Sequence, residues 1–166
     1  MWLITNMNSF EERKKIMDGG YTISTYNGMV FKRKITGIAV YYSLWDGDRM
    51  IGYMWTTKVQ HLINTLRIFE FCVADDYQSQ GIGTEFFKTI VVHDRYCVIS
   101  DYTHTEAASR VWKKLWGVKG LGVSTYNSLD DSISWVPLNN EEVYSSDNLH
   151  FIAYPHETNI PDSLSG

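Results

Sequence analysis

The chain has little from which to build metal, thiol or serine-hydrolase chemistry. Its two cysteines, Cys72 and Cys97, sit inside apolar runs and not at metal-ligand spacing, so both read as small core hydrophobes. Its five histidines (His61, His93, His104, His150, His156) form no H-E-x-x-H pattern and no Cys/His pairing, and no metal is expected. No G-x-S-x-G nucleophile elbow is present. No apolar run approaches the ~18 to 20 residues that a membrane span needs. Residues 1–6 lack the basic start and the ~7 to 15 residue apolar stretch of a signal peptide, so a cytoplasmic protein with no membrane partner is expected. Lysine and arginine are missing altogether from residues 120–166, which carry seven acids, whereas residues 1–36 hold six bases against three acids. That acidic third reads as solvated surface or as a face that attracts a cationic partner. The net charge of −4 makes a nucleic-acid partner held by phosphate contacts an unfavourable reading, with the Lys32-Arg33-Lys34 cluster its only support.

What is present is a globular chain of one-domain size: 166 residues, 44% hydrophobic and 20% charged. Trp2-Leu3-Ile4 suggests a short strand, and Ser9 with Glu12 has capping-box spacing for a helix ending at Gly19-Gly20. Residues 21–36 are mixed and read as loop plus a short element. The runs from Gly37 to Trp45 and from Met50 to Val59, split by Asp46-Gly47-Asp48, predict a hairpin. Leu66 to Ala74 reads as a buried strand, Ile82 to Val91 as a helix with one apolar face, and Tyr96 to Ser100 as a second short strand. One helix joining two buried strands makes a βαβ crossover whose strands run parallel. Thr103 to Leu115 is the next helix, Leu121 to Tyr126 and Ile133 to Val136 form a second hairpin, and Leu149 to Tyr154 is one last strand.

The crossover carries the one chemical signature. Gln78-Ser79-Gln80-Gly81-Ile82-Gly83 places unpaired backbone N–H groups at a helix start, where they favour an anion such as phosphate. A Walker loop needs Lys-Ser/Thr after its last glycine, and here Thr84-Glu85-Phe86 follows. A dinucleotide fingerprint needs a small residue where Phe86 stands. A plain structural turn stays open as the alternative.

The run Val73-Ala74-Asp75-Asp76-Tyr77-Gln78-Ser79-Gln80-Gly81-Ile82-Gly83 resembles motif A, V-x-x-x-x-R/Q-x-x-G-x-G/A, of the GCN5-related N-acetyltransferase (GNAT) family. The order of elements around it extends that resemblance over residues 1–137, leaving 138–166 as a C-terminal extension. The resemblance implies an α/β (α+β) fold with a mixed, mostly antiparallel sheet, a central pair of splayed parallel strands and flanking helices. It also implies acetyl-CoA as cosubstrate and transfer of its acetyl group to an amine-bearing acceptor, either a small cation or a protein. Carried over by position, Val73 pairs through its backbone with the pantetheine arm and donates to the oxyanion. Gln78, Ser79, Gln80, Gly81, Ile82, Gly83 and Thr84 hold the pyrophosphate, and Thr105 makes a further cofactor contact. Glu70 is the candidate general base, on the expectation that burial raises its pKa, against the plainer reading of an edge glutamate facing solvent.

Two departures stand out. Gln78 occupies a position that is often arginine in the family, and Trp112 one that is usually a tyrosine serving as acid to the departing thiolate. Indole cannot donate that proton, so Trp112 reads as core and the acid is not identified, with Tyr102, just past the strand end, one residue that could replace it. The alternative to an enzyme is a GNAT-fold component of an assembly or homo-oligomer, for example in a viral particle, suggested by six tryptophans and eleven tyrosines.

Overall fold

A computed structural model describes residues 7–100, 106–134 and 148–156. The expected strand at residues 2–4, together with Tyr102, His104 and Thr105, lies outside the described residues. One nine-stranded sheet organises the chain, in the order β1-β2-β3-β4-β5-β6-β9-β7-β8. Its strands are β1 (Tyr21–Tyr26), β2 (Met29–Thr36), β3 (Ala39–Asp46), β4 (Arg49–Lys58), β5 (Thr65–Val73), β6 (Cys97–Ile99), β7 (Leu121–Asn127), β8 (Ser132–Ser134) and β9 (Leu149–Pro155). Helix α1 (Met7–Met17) lies on one face; α2 (Ile82–Phe87, widening into π-helical turns over Lys88–His93) and α3 (Glu106–Leu115) lie on the other. Every strand pair is antiparallel except β5 and β6, which run parallel as the crossover requires. This is the mixed, mostly antiparallel architecture with a parallel pair that the sequence implied. Among the described residues no helix is long and apolar enough to cross a membrane.

Two local expectations are corrected. The first helix spans Met7–Met17, so Ser9 and Glu12 fall within its span and not at its start. Residues 21–36 are not loop but the β1–β2 hairpin, closed by Asn27 (φ 49°) and Gly28 (φ 78°). Two consecutive left-handed residues are what a two-residue hairpin turn of the strand-matching twist requires. The expected last strand is present as β9, which pairs with β6 on one side and β7 on the other.

The core follows from the strand alternation. Phe31, Phe71 and Phe86 meet edge to face at 5.0 and 5.1 Å between the sheet and α2. Gly52, opposite Val73, lets α2 approach, because a Cβ there would stand 3.0 Å from the Phe86 ring. Trp112 is buried in this layer, packed on Phe87 and Phe151 with ring centroids 4.9 and 5.4 Å away, as the core reading expected. On the other face Met17, Tyr41, Trp45, Met50, Tyr53 and Cys72 pack beneath α1. Cys97 is packed beside the cluster of Leu62, Ile99, Tyr126 and Ile152, and burial pushes its thiol pKa up to about 11.

The Lys32-Arg33-Lys34 cluster does not form a basic patch, because alternation along β2 sends its members to opposite faces. Lys32 lies over the Trp45 ring at 4.8 Å, and Lys34 donates to the Ile16 and Asp18 carbonyls at the end of α1. Arg33 crosses to the other face, where it and the buried Tyr42 hydroxyl both donate to Asp94 Oδ2 at 2.8 Å. That carboxylate ties the end of α2 to β2 and β3. Asp94→Asn keeps the shape and removes the charge, and is expected to cost about 1 to 2 kcal/mol in urea unfolding.

Candidate functional site

The parallel pairing of β5 and β6 is short: it runs from Thr65↔Cys97 to Arg67↔Ile99 and stops. Phe69 is then an extra residue in β5, since Trp55 pairs with Glu70 and Thr56 with Ile68. Such a bulge bends its strand, and β5 continues to Val73 with β4 alone beside it. The register sets which way its backbone points. The Ala74 N–H donates to the Ile51 carbonyl opposite it at 2.8 Å, so the neighbouring Gly52↔Val73 pair is not hydrogen-bonded. By the alternation of antiparallel ladders, the Val73 N–H and C=O therefore point away from β4, into the gap left by β6.

A cleft of about 380 Å³ opens there, walled by the end of β5, the glycine loop and α3. Val73, Gln78, Ser79, Gly81, Ile82, Gly83 and Thr84 all line it. Ser79 (φ 62°) and Gly81 (φ 78°) are left-handed, which turns the chain sharply into α2. The first loop-closing bond of that helix is Glu85 N–H to the Gly81 carbonyl, 3.2 Å. The N–H groups from Ser79 to Thr84 donate to no carbonyl among the described residues. Gly83 packs flat against α3, for a Cβ there would stand 3.1 Å from Val111 Cγ2.

The loop is braced from outside. Arg49 forks onto Asp76 at 2.8 and 2.9 Å, and the Tyr77 hydroxyl donates to Asp46 at 2.6 Å. Gln78 donates through Nε2 to the Val73 carbonyl (3.1 Å) and to Asp75 (3.3 Å), so its amide braces the turn. Gln80 turns back to the Asp76 carbonyl at 3.1 Å and does not line the cleft.

Glu70 lies on the α1 face of β5, away from the cleft lining, and is neither solvent-facing nor a raised-pKa acid. It is 5% exposed, and both carboxylate oxygens are taken. Arg13 donates from Nε to Oε1 at 3.0 Å and from Nη2 to Oε2 at 3.1 Å, and the Tyr53 hydroxyl adds a short bond to Oε1. Burial by itself drives the Glu70 pKa up, but the Arg13 and Tyr53 hydrogen bonds and the Arg13 charge overcome it, and the net shift is downward. The same arrangement raises the Tyr53 pKa, chiefly through burial and then through Glu70. The Arg13 guanidinium also lies 5.3 Å over the Trp55 ring, itself in a row with Tyr41 (5.4 Å) and the half-exposed Phe69 (4.7 Å).

Against known proteins, the likeness is one of shape. No protein-family model and no curated protein matches this chain. Solved structures similar to it include acetyltransferases. The ribosomal-protein-S18-alanine N-acetyltransferase from Escherichia coli is 12% identical with a TM-score of 0.44, covering 95% of this chain and 94% of that one. A GNAT family acetyltransferase from Elizabethkingia anophelis, solved with acetyl-CoA bound, is 12% identical with a TM-score of 0.46 over 78% of this chain and 99% of that one. Diaminobutyrate acetyltransferase from Paenibacillus lautus, solved with L-2,4-diaminobutyric acid and coenzyme A, is 13% identical with a TM-score of 0.47 over 72% of each chain.

Beyond the loop residues, Arg110, Val111 and Lys114 of α3 also line the cleft and were not singled out from the sequence. Their spacing carries a signal: Arg110 and Lys114 are one helical turn apart and flank the residue that touches Gly83.

Proposed function

We propose that this protein binds acetyl-CoA in the cleft between β5 and α3 and transfers its acetyl group to an amine. The observation that carries this reading is the splay of β5 from β6, which leaves the Val73 backbone unpaired by strand at one end of a cleft whose other end is a row of free loop N–H groups. When bound, the cosubstrate supplies an activated acetyl thioester. The chain's own part is to orient it. Loop donors from Ser79 to Thr84 take the pyrophosphate, the Val73 backbone aligns the extended arm, and the Val73 N–H donates to an oxygen on which negative charge develops. Gln78 acts by bracing the turn, and Thr105 is kept as a further cosubstrate contact.

Glu70 enters this reading through its cation partner. An acceptor ammonium replaces the Arg13 guanidinium on the buried carboxylate, so the charge stays paired throughout the exchange. Proton acceptance by Glu70 then requires Arg13 to have moved away. The acceptor class that suits the exchange is a cationic amine, free or on a protein.

A second reading, binding of cosubstrate or partner without turnover, is favoured by the occupation of both Glu70 oxygens in the present arrangement. Calorimetric titration with acetyl-CoA tests what the two have in common, and saturable binding is expected. Absence of heat at millimolar cosubstrate would remove the cradle altogether. Thiol release over a panel of polyamines and lysine peptides separates the two readings: turnover on any amine supports the first and excludes the second.

A further inference from the structure

We infer that Arg110 and Lys114 form a second anion subsite on the α3 wall, one that takes a phosphomonoester of the cosubstrate while the loop N–H groups take its pyrophosphate. This rests on the cradle reading above and adds to it the source of the positive charge.

A loop that binds phosphate through backbone donors supplies dipoles but no formal charge. Here the loop has no cation of its own, and the amide of Gln78 is committed to the Val73 carbonyl and Asp75. Arg110 and Lys114 are the only charged side chains among the described residues that line the cleft. Both are exposed, and neither is paired with any described residue. The carboxylates nearest the loop in sequence are already engaged: Asp76 with Arg49 at 2.8 Å, Glu85 with Lys88 at 3.4 Å. An anion in the cleft therefore meets two cations that no described residue pairs with, and no carboxylate among the lining residues.

The plainer explanation is that basic residues near the end of α3 answer the helix dipole. Lys113 and Lys114 occupy that last turn, but Arg110 lies a turn earlier and gains little from it. Its placement is accounted for by what it faces. Because Val111 packs on Gly83, the side of α3 bearing Arg110 and Lys114 stands across the cleft from the loop. Two separate anion sites, one of neutral donors and one of cations, fit a ligand with two separate anionic groups. A nucleotide carrying a pyrophosphate and a distinct phosphomonoester has them, as coenzyme A does and dephospho-coenzyme A does not.

The test is calorimetric titration of the full chain and of an Arg110→Gln, Lys114→Gln double variant with both ligands. The wild type is expected to prefer coenzyme A over dephospho-coenzyme A by roughly 10- to 100-fold, as charge-assisted phosphate contacts provide. In the double variant that preference should collapse through loss of coenzyme A affinity, with dephospho-coenzyme A affinity changed by less than about threefold. Both positions are exposed, so circular dichroism should be unchanged. Unchanged coenzyme A affinity, or an equal loss for both ligands, overturns the subsite and leaves the cradle standing. If the wild type binds neither ligand, the cradle falls and the subsite with it.

Discussion

Arg13→Ala is expected to lower the stability of the folded protein by about 3 kcal/mol at neutral pH and to reverse the sign of the Glu70 contribution to its response to acid. In the intact protein the Glu70 carboxyl titrates below its ordinary value of 4.5. Its pairing therefore contributes stability that is fully present above pH 4.5 and is lost as the pH falls through the lowered value. Without Arg13, burial, the strongest influence on this group, faces the Tyr53 hydrogen bond and the weaker pull of the N-terminal charge, and the folded-state pKa is expected to rise above the unfolded one. The sign then inverts: the group favours the folded state below its unfolded pKa, and that contribution is lost as the pH rises through the folded value. Urea unfolding of both proteins from pH 3 to pH 7 measures this, with the gap between them narrowing toward acid. Arg13 is 26% exposed, so water screens part of the lost pair, which is why the expected cost sits at the low end for a buried ion pair. A gap that stays constant with pH would show that the pair is not coupled to folding.

Gly83→Leu is expected to abolish cosubstrate binding, lowering affinity by at least ~100-fold, equivalent to about 2.7 kcal/mol. A Cβ at this position already stands 3.1 Å from Val111 Cγ2, and the remaining side chain has only the cleft to enter. Overpacking should also cost about 1 to 3 kcal/mol of stability. Gly81→Ala is the paired control. A Cβ there meets nothing within 4 Å, and the cost is the left-handed backbone at φ 78°, about 1 to 2 kcal/mol. The two glycines thus separate in binding: both changes are felt in unfolding, and Gly83→Leu alone is felt strongly in calorimetric titration. Equal effects of both on binding would argue that loop shape and not cleft volume governs affinity.

The parts of this fold legible in the sequence are those set by local pattern. Phe86, Phe87, Ile90 and Val91 repeat at helical spacing and all are buried. A helix between two apolar runs forces β5 and β6 to be parallel. Both loop glycines stand in the motif, but only Gly81 has a local cause, a left-handed turn, whereas Gly83 is set by its close contact with α3. The β1–β2 hairpin carried an Asn27-Gly28 signal, but β1 is largely exposed and shows no alternation to frame it.

Long-range pairing was not legible. Glu70 looked like a base with a raised pKa because its own strand is apolar, and its partner Arg13 lies 57 residues away on another element. β9 was visible as a strand, yet nothing local says that it inserts between β6 and β7. Arg110 and Lys114 resemble any solvated helix face until Val111 is seen against Gly83.

The most direct measurement is a backbone amide spectrum recorded during addition of acetyl-CoA. The N–H groups of Val73 and of Ser79 to Thr84 should show the largest shifts, with those of α1 and of the β7–β8 hairpin little changed. Saturable shifts confined to other elements, or none at millimolar acetyl-CoA, would contradict a cradle built from the splayed strand and the glycine loop.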